Sequence, residues 1–248
     1  MRICAAQLQS VPGDLNGNIQ KHLELIALAA QENVDVICFP ELSLTAYEPT
    51  MAADLAFDAD NVELPSIQAL SDRHGMLIYL GMPLRFKIGN GQSELRISLL
   101  CFQAFKPVQV YSKQLLHSSE LPFFAPGRND LYLDYGNERI APAICYESKQ
   151  CSHNDAAESA GATLYMASVA KDKPSVIEVQ NGLYSKLAKQ SGMKVMMSNC
   201  YGPSHDFIGY GHSAIWNEQG HCVAQMGVNG DGIVVFDTIS GKGFVKQP

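Results

Sequence analysis

The apolar positions of the chain follow two rhythms. Residues 2–9 alternate as a half-buried strand does, and the turn VPGDLNGN follows. From Ile19 to about Glu32, the residues Ile19, Leu23, Ile26 and Ala30 recur at the helical period, and Asn33 closes the segment. Val34–Phe39 is a short apolar run of the kind a buried strand shows. Pro40 stops it, and Glu41 follows at once. The spacing predicts a second helix over 65–74, opened by a proline and ended before Gly75. Leu77–Arg85 and Glu94–Phe102 read as the two strands of a hairpin around IGNGQS. Val108–Tyr111 adds a strand leading into Lys113, and Arg139–Ile144 adds one running straight into Cys145.

The second half continues the alternation. A helix is expected at about 148–160, closed by Gly161, then a strand at 163–169, a helix at 176–191 and a strand at 194–199. Strands follow near 213–217, 221–226 and 232–237, with NEQG as a hairpin turn. Helices alternate with strands at both ends while hairpins hold the middle. This predicts a mixed-sheet α/β protein with two sheets face to face and helices outside. No linker, repeat or low-complexity tract interrupts it, so residues 1–248 read as one domain.

Composition narrows the function classes. Hydrophobic residues are 46% and charged residues 17%, a globular balance. The formal net charge is -7 and no Lys/Arg cluster occurs, so no nucleic-acid partner is expected. No apolar stretch approaches the ~20 residues of a membrane span, and MRICAAQLQS is no secretory leader. The 7 cysteines are scattered and odd in number, and read as reduced thiols of a cytoplasmic protein. No CxxC pair or metal-ligand histidine spacing is present, and Gly209 and Gly211 form no nucleotide-binding fingerprint. The expectation is a protein without metal or cofactor.

Three strands end on a polar reactive residue: Glu41 after VICFP, Lys113 after VQVYS and Cys145 after IAPAI. Ligands of α/β sheets bind outside the carboxyl ends of strands, so an acid, a cation and a thiol could converge there. A free thiol with pKa of about 8.5 is mostly protonated at neutral pH. A carboxylate could take its proton, and an ammonium could stabilise the thiolate and an oxyanion. Residue by residue, a core role for the cysteine and surface roles for the other two remain the commoner readings.

The segments that carry these residues resemble the nitrilase superfamily of carbon–nitrogen hydrolases. FPELSLTAYEP resembles its glutamate motif, VYSKQLLHSSELPFFAPG its lysine motif with a second glutamate and a terminal Pro-Gly, and ICYES its cysteine motif. Weaker similarity runs from AAQLQSVPGDLNGNIQKH to SNCYGP and GYGHSAIWNEQGHCVAQ. The resemblance implies a four-layer α-β-β-α sandwich and a homodimer or higher homo-oligomer. It implies Glu41 as general base, Cys145 as nucleophile and Lys113 as the cation beside the oxyanion. It further implies Glu120 as a supporting glutamate and the Tyr146 N–H as second oxyanion donor. The function implied is hydrolysis of a small amide, carbamoyl compound or nitrile through a cysteine thioester. Transfer of the acyl group to an amine, or a low-activity binding role, are the alternatives.

The chain departs from the family pattern in places. Gln150, Cys151 and Ser152 replace the familiar Phe-Pro-Glu, Ala46 stands where many relatives have glycine, and MASVAKDK lacks the usual Pro and Trp. Tyr47, His117 and Lys171 are candidates to line a substrate pocket, with Asp172 beside Lys171. Packing or rim roles compete at each. Cys151 could be a resolving thiol but reads better as a plain helix residue. His153, His205 or His212 would supply a papain-type dyad, which nothing local supports. Asn199 and Ser213 are expected to be framework hydrogen-bonders.

Overall fold

The computed structural model describes residues 1–248. It contains a sheet of eight strands and one of six. The first runs Lys242–Lys246, Gly232–Asp237, Arg2–Gln7, Val36–Cys38, Leu77–Gly89, Gln92–Phe102, Gln109–Ser112, with Phe57–Asp58 added beside Leu77–Gly89. The second runs Cys222–Gln225, Ala214–Trp216, Lys194–Asn199, Leu164–Val169, Glu138–Ile144, Leu133–Tyr135.

Period-two alternation builds the layers. Ile3 and Ala5 face the opposite sheet and pack with Met166, Met196 and Ile215. Cys4 and Ala6 face outward and pack against Leu25, Ile26 and Ala29 of the helix Leu15–Gln31. On the second sheet, Tyr165, Ala167 and Val195 pack outward against Ala157, Val179, Tyr184 and Ala188 of three shorter helices. The order is helix, sheet, sheet, helix: the expected α-β-β-α sandwich.

Strand direction places the reactive residues. Arg2–Gln7, Val36–Cys38 and Leu77–Gly89 are mutually parallel, and Gln109–Ser112, two antiparallel steps further, runs the same way. In the second sheet Glu138–Ile144, Leu164–Val169 and Lys194–Asn199 are parallel. A parallel bridge from Leu8 to Cys200 aligns the two sheets. The carboxyl ends of all these strands therefore open on one end of the sandwich. Hydroxyls tie the sheets together there: Ser168 Oγ donates to Phe39 O at 2.8 Å and Ser198 Oγ donates to Cys38 O at 2.8 Å.

Several elements differ from expectation. The first helix begins at Leu15, not Ile19, because Asp14 caps it by accepting from Gly17 N. Its buried stripe includes Asn18 and His22, while Ile19, Leu23 and Ala30 are only partly buried. Asn18 bonds Val11 and Leu44, and His22 bonds Ser43, so their burial is satisfied. Burial pushes the His22 imidazole down to about 4. The helix expected at 148–160 is a 3-10 turn, Cys145–Lys149, followed by the helix Cys151–Ser159. That expected at 176–191 is two helices, Lys173–Gln180 and Leu183–Ser191, broken at Asn181 and Gly182. The hairpin around IGNGQS tightens to the two-residue turn Asn90-Gly91. A separate hairpin, Tyr201–Ser204 with Phe207–Tyr210, was not foreseen.

Candidate active site

Each reactive residue is placed by a local backbone device. Phe39 and Pro40 follow the strand Val36–Cys38, and the chain turns at Leu42, whose φ is 52°. The turn lies on Gly81, where a Cβ would come within 2.4 Å of Leu42 N and 2.7 Å of Pro40 O. Glu41 can approach the centre because residue 81 has no side chain. Lys113 is pinned through Lys113 N to Ile97 O at 2.9 Å and Gly127 N to Lys113 O at 2.7 Å. A Cβ at Gly127 would fall 2.1 Å from Ser112 O, which accounts for the Pro-Gly that ends the lysine motif. Cys145 leaves its strand with φ 46°, a conformation costing a non-glycine residue about 1–2 kcal/mol. The kink opens the 3-10 turn whose first N–H groups, including that of Tyr146, have no helical partner.

These three residues meet in one cavity of about 520 Å³, which Glu120, Tyr47 and Tyr146 also line. His117 and Lys171 line it as well, so all eight residues singled out by sequence share it. His117 is exposed at the rim, with Nδ1 2.8 Å from Ser119 Oγ and its ring edge-on to Tyr146. Asp172 also faces the cavity, but its side chain caps the helix Lys173–Gln180 by accepting from Ser175 N.

Lys113 is completely buried and stands between two carboxylates. Its Nζ donates to Glu41 Oε1 at 2.7 Å and to Glu120 Oε1 at 2.6 Å. Glu120 accepts also from Tyr47 Oη at 3.0 Å and from His117 N at 2.7 Å. Glu41 Oε2, by contrast, is buried and receives no hydrogen bond.

The electrostatics follow from that asymmetry. Burial outweighs the attraction of Lys113 and lifts the Glu41 carboxyl from an ordinary 4.5 to about 7. Burial would lower Lys113, but Glu41, Cys145 and Glu120 together hold its ammonium above the usual lysine range. Lys113 is therefore a fixed charge rather than a proton carrier. Burial, then the charge of Glu41, pushes the Cys145 thiol up to about 11, against the pull of Lys171 and Lys113. At neutral pH Cys145 is therefore a thiol, which would have to lose its proton to act as a nucleophile. Its Sγ lies 3.8 Å from Ala170 O. Burial and the charges of Glu41 and Glu120 keep the Tyr47 hydroxyl protonated, as a donor to Glu120.

A second set of buried groups lies beneath the cysteine turn, and sequence reading missed it. Glu147, with no exposure, accepts from Ile144 N at 2.7 Å and from Gln114 N at 2.5 Å. Tyr111 Oη donates to it at 2.9 Å and also meets His153 Nε2 at 2.9 Å. His153 Nδ1 in turn sits 2.8 Å from Tyr165 Oη. Glu147 thus ties the chain after Lys113 to the turn that carries Cys145.

The same bonds remove the papain-type reading. His153 is committed to two tyrosines, His212 packs on Tyr210, and His205 pairs with Glu48. Cys151 is exposed at the start of its helix and does not line the cavity. Asn199 and Ser213 are framework groups: Asn199 accepts from Lys171 N at 2.7 Å, and Ser213 Oγ accepts from Asn199 N at 2.9 Å. No three His, Cys, Asp or Glu side chains come together in a way that could hold a metal ion. No helix is long and apolar enough to cross a membrane.

The sequence profile of the carbon-nitrogen hydrolases matches residues 2–240. The chain belongs to the carbon–nitrogen hydrolase family. It is an enzyme acting on carbon–nitrogen bonds, with the nitrilase-superfamily fold. Its structure is similar to that of an amidase from Nesterenkonia sp. AN1, seen in a variant with acrylamide added at its active-site cysteine. The TM-score is 0.82 at 23% identity, over 96% of this chain and 92% of that one. A complex of that amidase with butyramide superposes with TM-score 0.82 at 21% identity, over 97% and 92% of the two chains. A glutamine-dependent NAD(+) synthetase of Thermotoga maritima is 26% identical over 150 residues. That match takes in 58% of this carbon–nitrogen hydrolase but only 25% of the synthetase.

Proposed function

We propose that the protein hydrolyses a small amide through a thioester on Cys145. The observation that carries this reading is the unpartnered Glu41 Oε2, buried in the cavity that Cys145 and Lys113 share. An acceptor left open beside a protonated thiol is what a general base requires.

The steps then follow from the charges. Glu41 takes the Sγ proton as sulfur attacks the amide carbon. The oxygen of the tetrahedral adduct gains a negative charge, answered by the Lys113 ammonium and the Tyr146 N–H. Glu41 passes its proton to the nitrogen, the C–N bond breaks, and ammonia or an amine departs. Water then attacks the thioester while Glu41 takes a proton from it. Collapse of the second adduct expels sulfur, which regains a proton from Glu41 as the acid leaves. Glu120, held by Tyr47 and the His117 N–H, keeps Lys113 in place and balances its charge.

Ammonia release is the test, measured on short aliphatic amides, ω-amides of dicarboxylic acids, N-carbamoyl amines and nitriles. Release that disappears in Cys145→Ala supports the reading. Silence across the panel, or release that survives in Cys145→Ala, overturns it.

A further inference from the structure

The cavity holds a cation that no protein group answers. Four potentially cationic side chains besides His117 line it: Lys113, Lys149, Lys171 and His205. Lys113 meets two carboxylates, Lys149 pairs with Glu178 and His205 pairs with Glu48. Lys171 is 2% exposed, yet its ammonium is in no salt bridge and makes no hydrogen bond. Its Nζ lies 6.0 Å from the centroid of the Tyr184 ring. The side chain is almost wholly enclosed but its Nζ is not sealed off, so the charge stands open to the cavity and unpaired by the protein.

The backbone shows that this position is built rather than accidental. Asn199 holds both sides of Lys171, accepting from its N–H at 2.7 Å and donating to its carbonyl at 3.2 Å. Tyr210 N donates to the same carbonyl at 2.9 Å. Lys171 directly follows Ala170, whose carbonyl neighbours Cys145 Sγ. When Glu41 is ionised, Glu41, Lys113 and Glu120 together carry one net negative charge, which favours a cation elsewhere in the cavity. The other acids of the cavity do not claim it: Asp172 caps a helix, and Asp206 is exposed.

We propose that Lys171 is the receptor for an anionic group on the substrate, so that the amide hydrolysed here also carries a carboxylate. This deepens the proposed function and rests on it. The substrate class is a short amide of a dicarboxylic acid, or an N-carbamoyl amino acid, with its carboxylate paired to the Lys171 ammonium. Binding would bury that pair in the cavity, where a charge-assisted contact is strongest.

The rival role for Lys171 is electrostatic help to sulfur, since its charge pulls the Cys145 thiol down more than that of Lys113 does. The two roles separate in one experiment. Ammonia release is measured with glutaramate and with butyramide for the unaltered enzyme, Lys171→Met and Lys171→Arg. The proposal expects glutaramate to be preferred by about 10- to 100-fold in kcat/KM, the scale of one charge-assisted bond. Lys171→Met should abolish that preference, chiefly through KM for glutaramate, lowering kcat/KM far more for glutaramate than for butyramide. Lys171→Arg should retain most of it. An equal loss on both amides overturns the proposal in favour of the sulfur role, and no preference in the unaltered enzyme overturns it outright.

A binding arm keeps this apart from the hydrolase reading. Glutarate should raise the melting temperature of Cys145→Ala but not that of Cys145→Ala with Lys171→Met. Glutarate stabilisation that depends on Lys171, with no amide turned over, would keep the anion site and sink the hydrolase. Amide turnover without the carboxylate preference would do the reverse.

Discussion

Two buried glutamates flank the cysteine turn, and they could hardly be treated more differently. Glu147 lies beneath it, and both its oxygens accept hydrogen bonds, from Ile144 N, Gln114 N and Tyr111 Oη. Glu41 lies above it, and its Oε2 accepts none. Depth of burial does not separate them, at 0% and 2% exposure. Partnership does. A carboxylate whose lone pairs are filled is fixed in position and serves as a brace. A carboxylate with an oxygen left open is poised to gain and lose a proton.

Substitution should split the two roles. Glu41→Gln is isosteric and keeps Lys113 paired with Glu120, so the protein should fold while kcat/KM falls by about 10²–10⁴-fold. Glu147→Ala should instead cost roughly 3–5 kcal/mol of stability, because it strands the N–H groups of Ile144 and Gln114. Denaturation curves of the two variants beside their ammonia-release rates would show it. Similar destabilisation by both would erase the distinction.

A pH series sharpens the comparison. The Glu41 carboxyl, raised to about 7, must be ionised to act as base, so kcat/KM should climb as pH rises through about 7. The sign for stability is opposite. Glu41 holds its proton more tightly in the folded protein than at its ordinary 4.5. Its contribution to stability is full below about 4.5 and is lost as pH rises through about 7. Glu41→Gln should remove this fall, which chemical denaturation at pH 4.5 and pH 8 would reveal as a smaller pH dependence than in the unaltered protein.

The smallest expected effect concerns the turn that carries Glu41. Ala46 has φ 65°, the left-handed region that glycine occupies freely. An alanine at this position therefore carries backbone strain that a glycine would not. Ala46→Gly should raise stability by up to about 1 kcal/mol, read from the denaturation midpoint, with activity kept.

What the sequence disclosed follows physical lines. Buried parallel strands are continuous apolar runs, so VDVICF and the run before Cys145 stood out with the residues that end them. The convergence of Glu41, Lys113 and Cys145 became specific only through the family resemblance, because nothing in the periodicity orders the strands. The brace under Cys145 stayed hidden. Glu147 meets Gln114, and Tyr111 meets His153, across long gaps in the chain that no local pattern reports. Asn18 and His22 escaped for another reason: a count of apolar positions cannot find a polar residue buried with its bonds satisfied. The strands Tyr201–Ser204 and Phe207–Tyr210 were missed because they are short, and Pro203 and Gly209 interrupt the alternation.

The most direct test of the thioester is to catch it. The protein is mixed with an amide it turns over, quenched in acid within the first turnovers, and weighed intact and as peptides. The account predicts an added acyl group, the substrate less ammonia, on the peptide bearing Cys145, and none in Cys145→Ala. An acyl group on another residue, or turnover by Cys145→Ala, would contradict it.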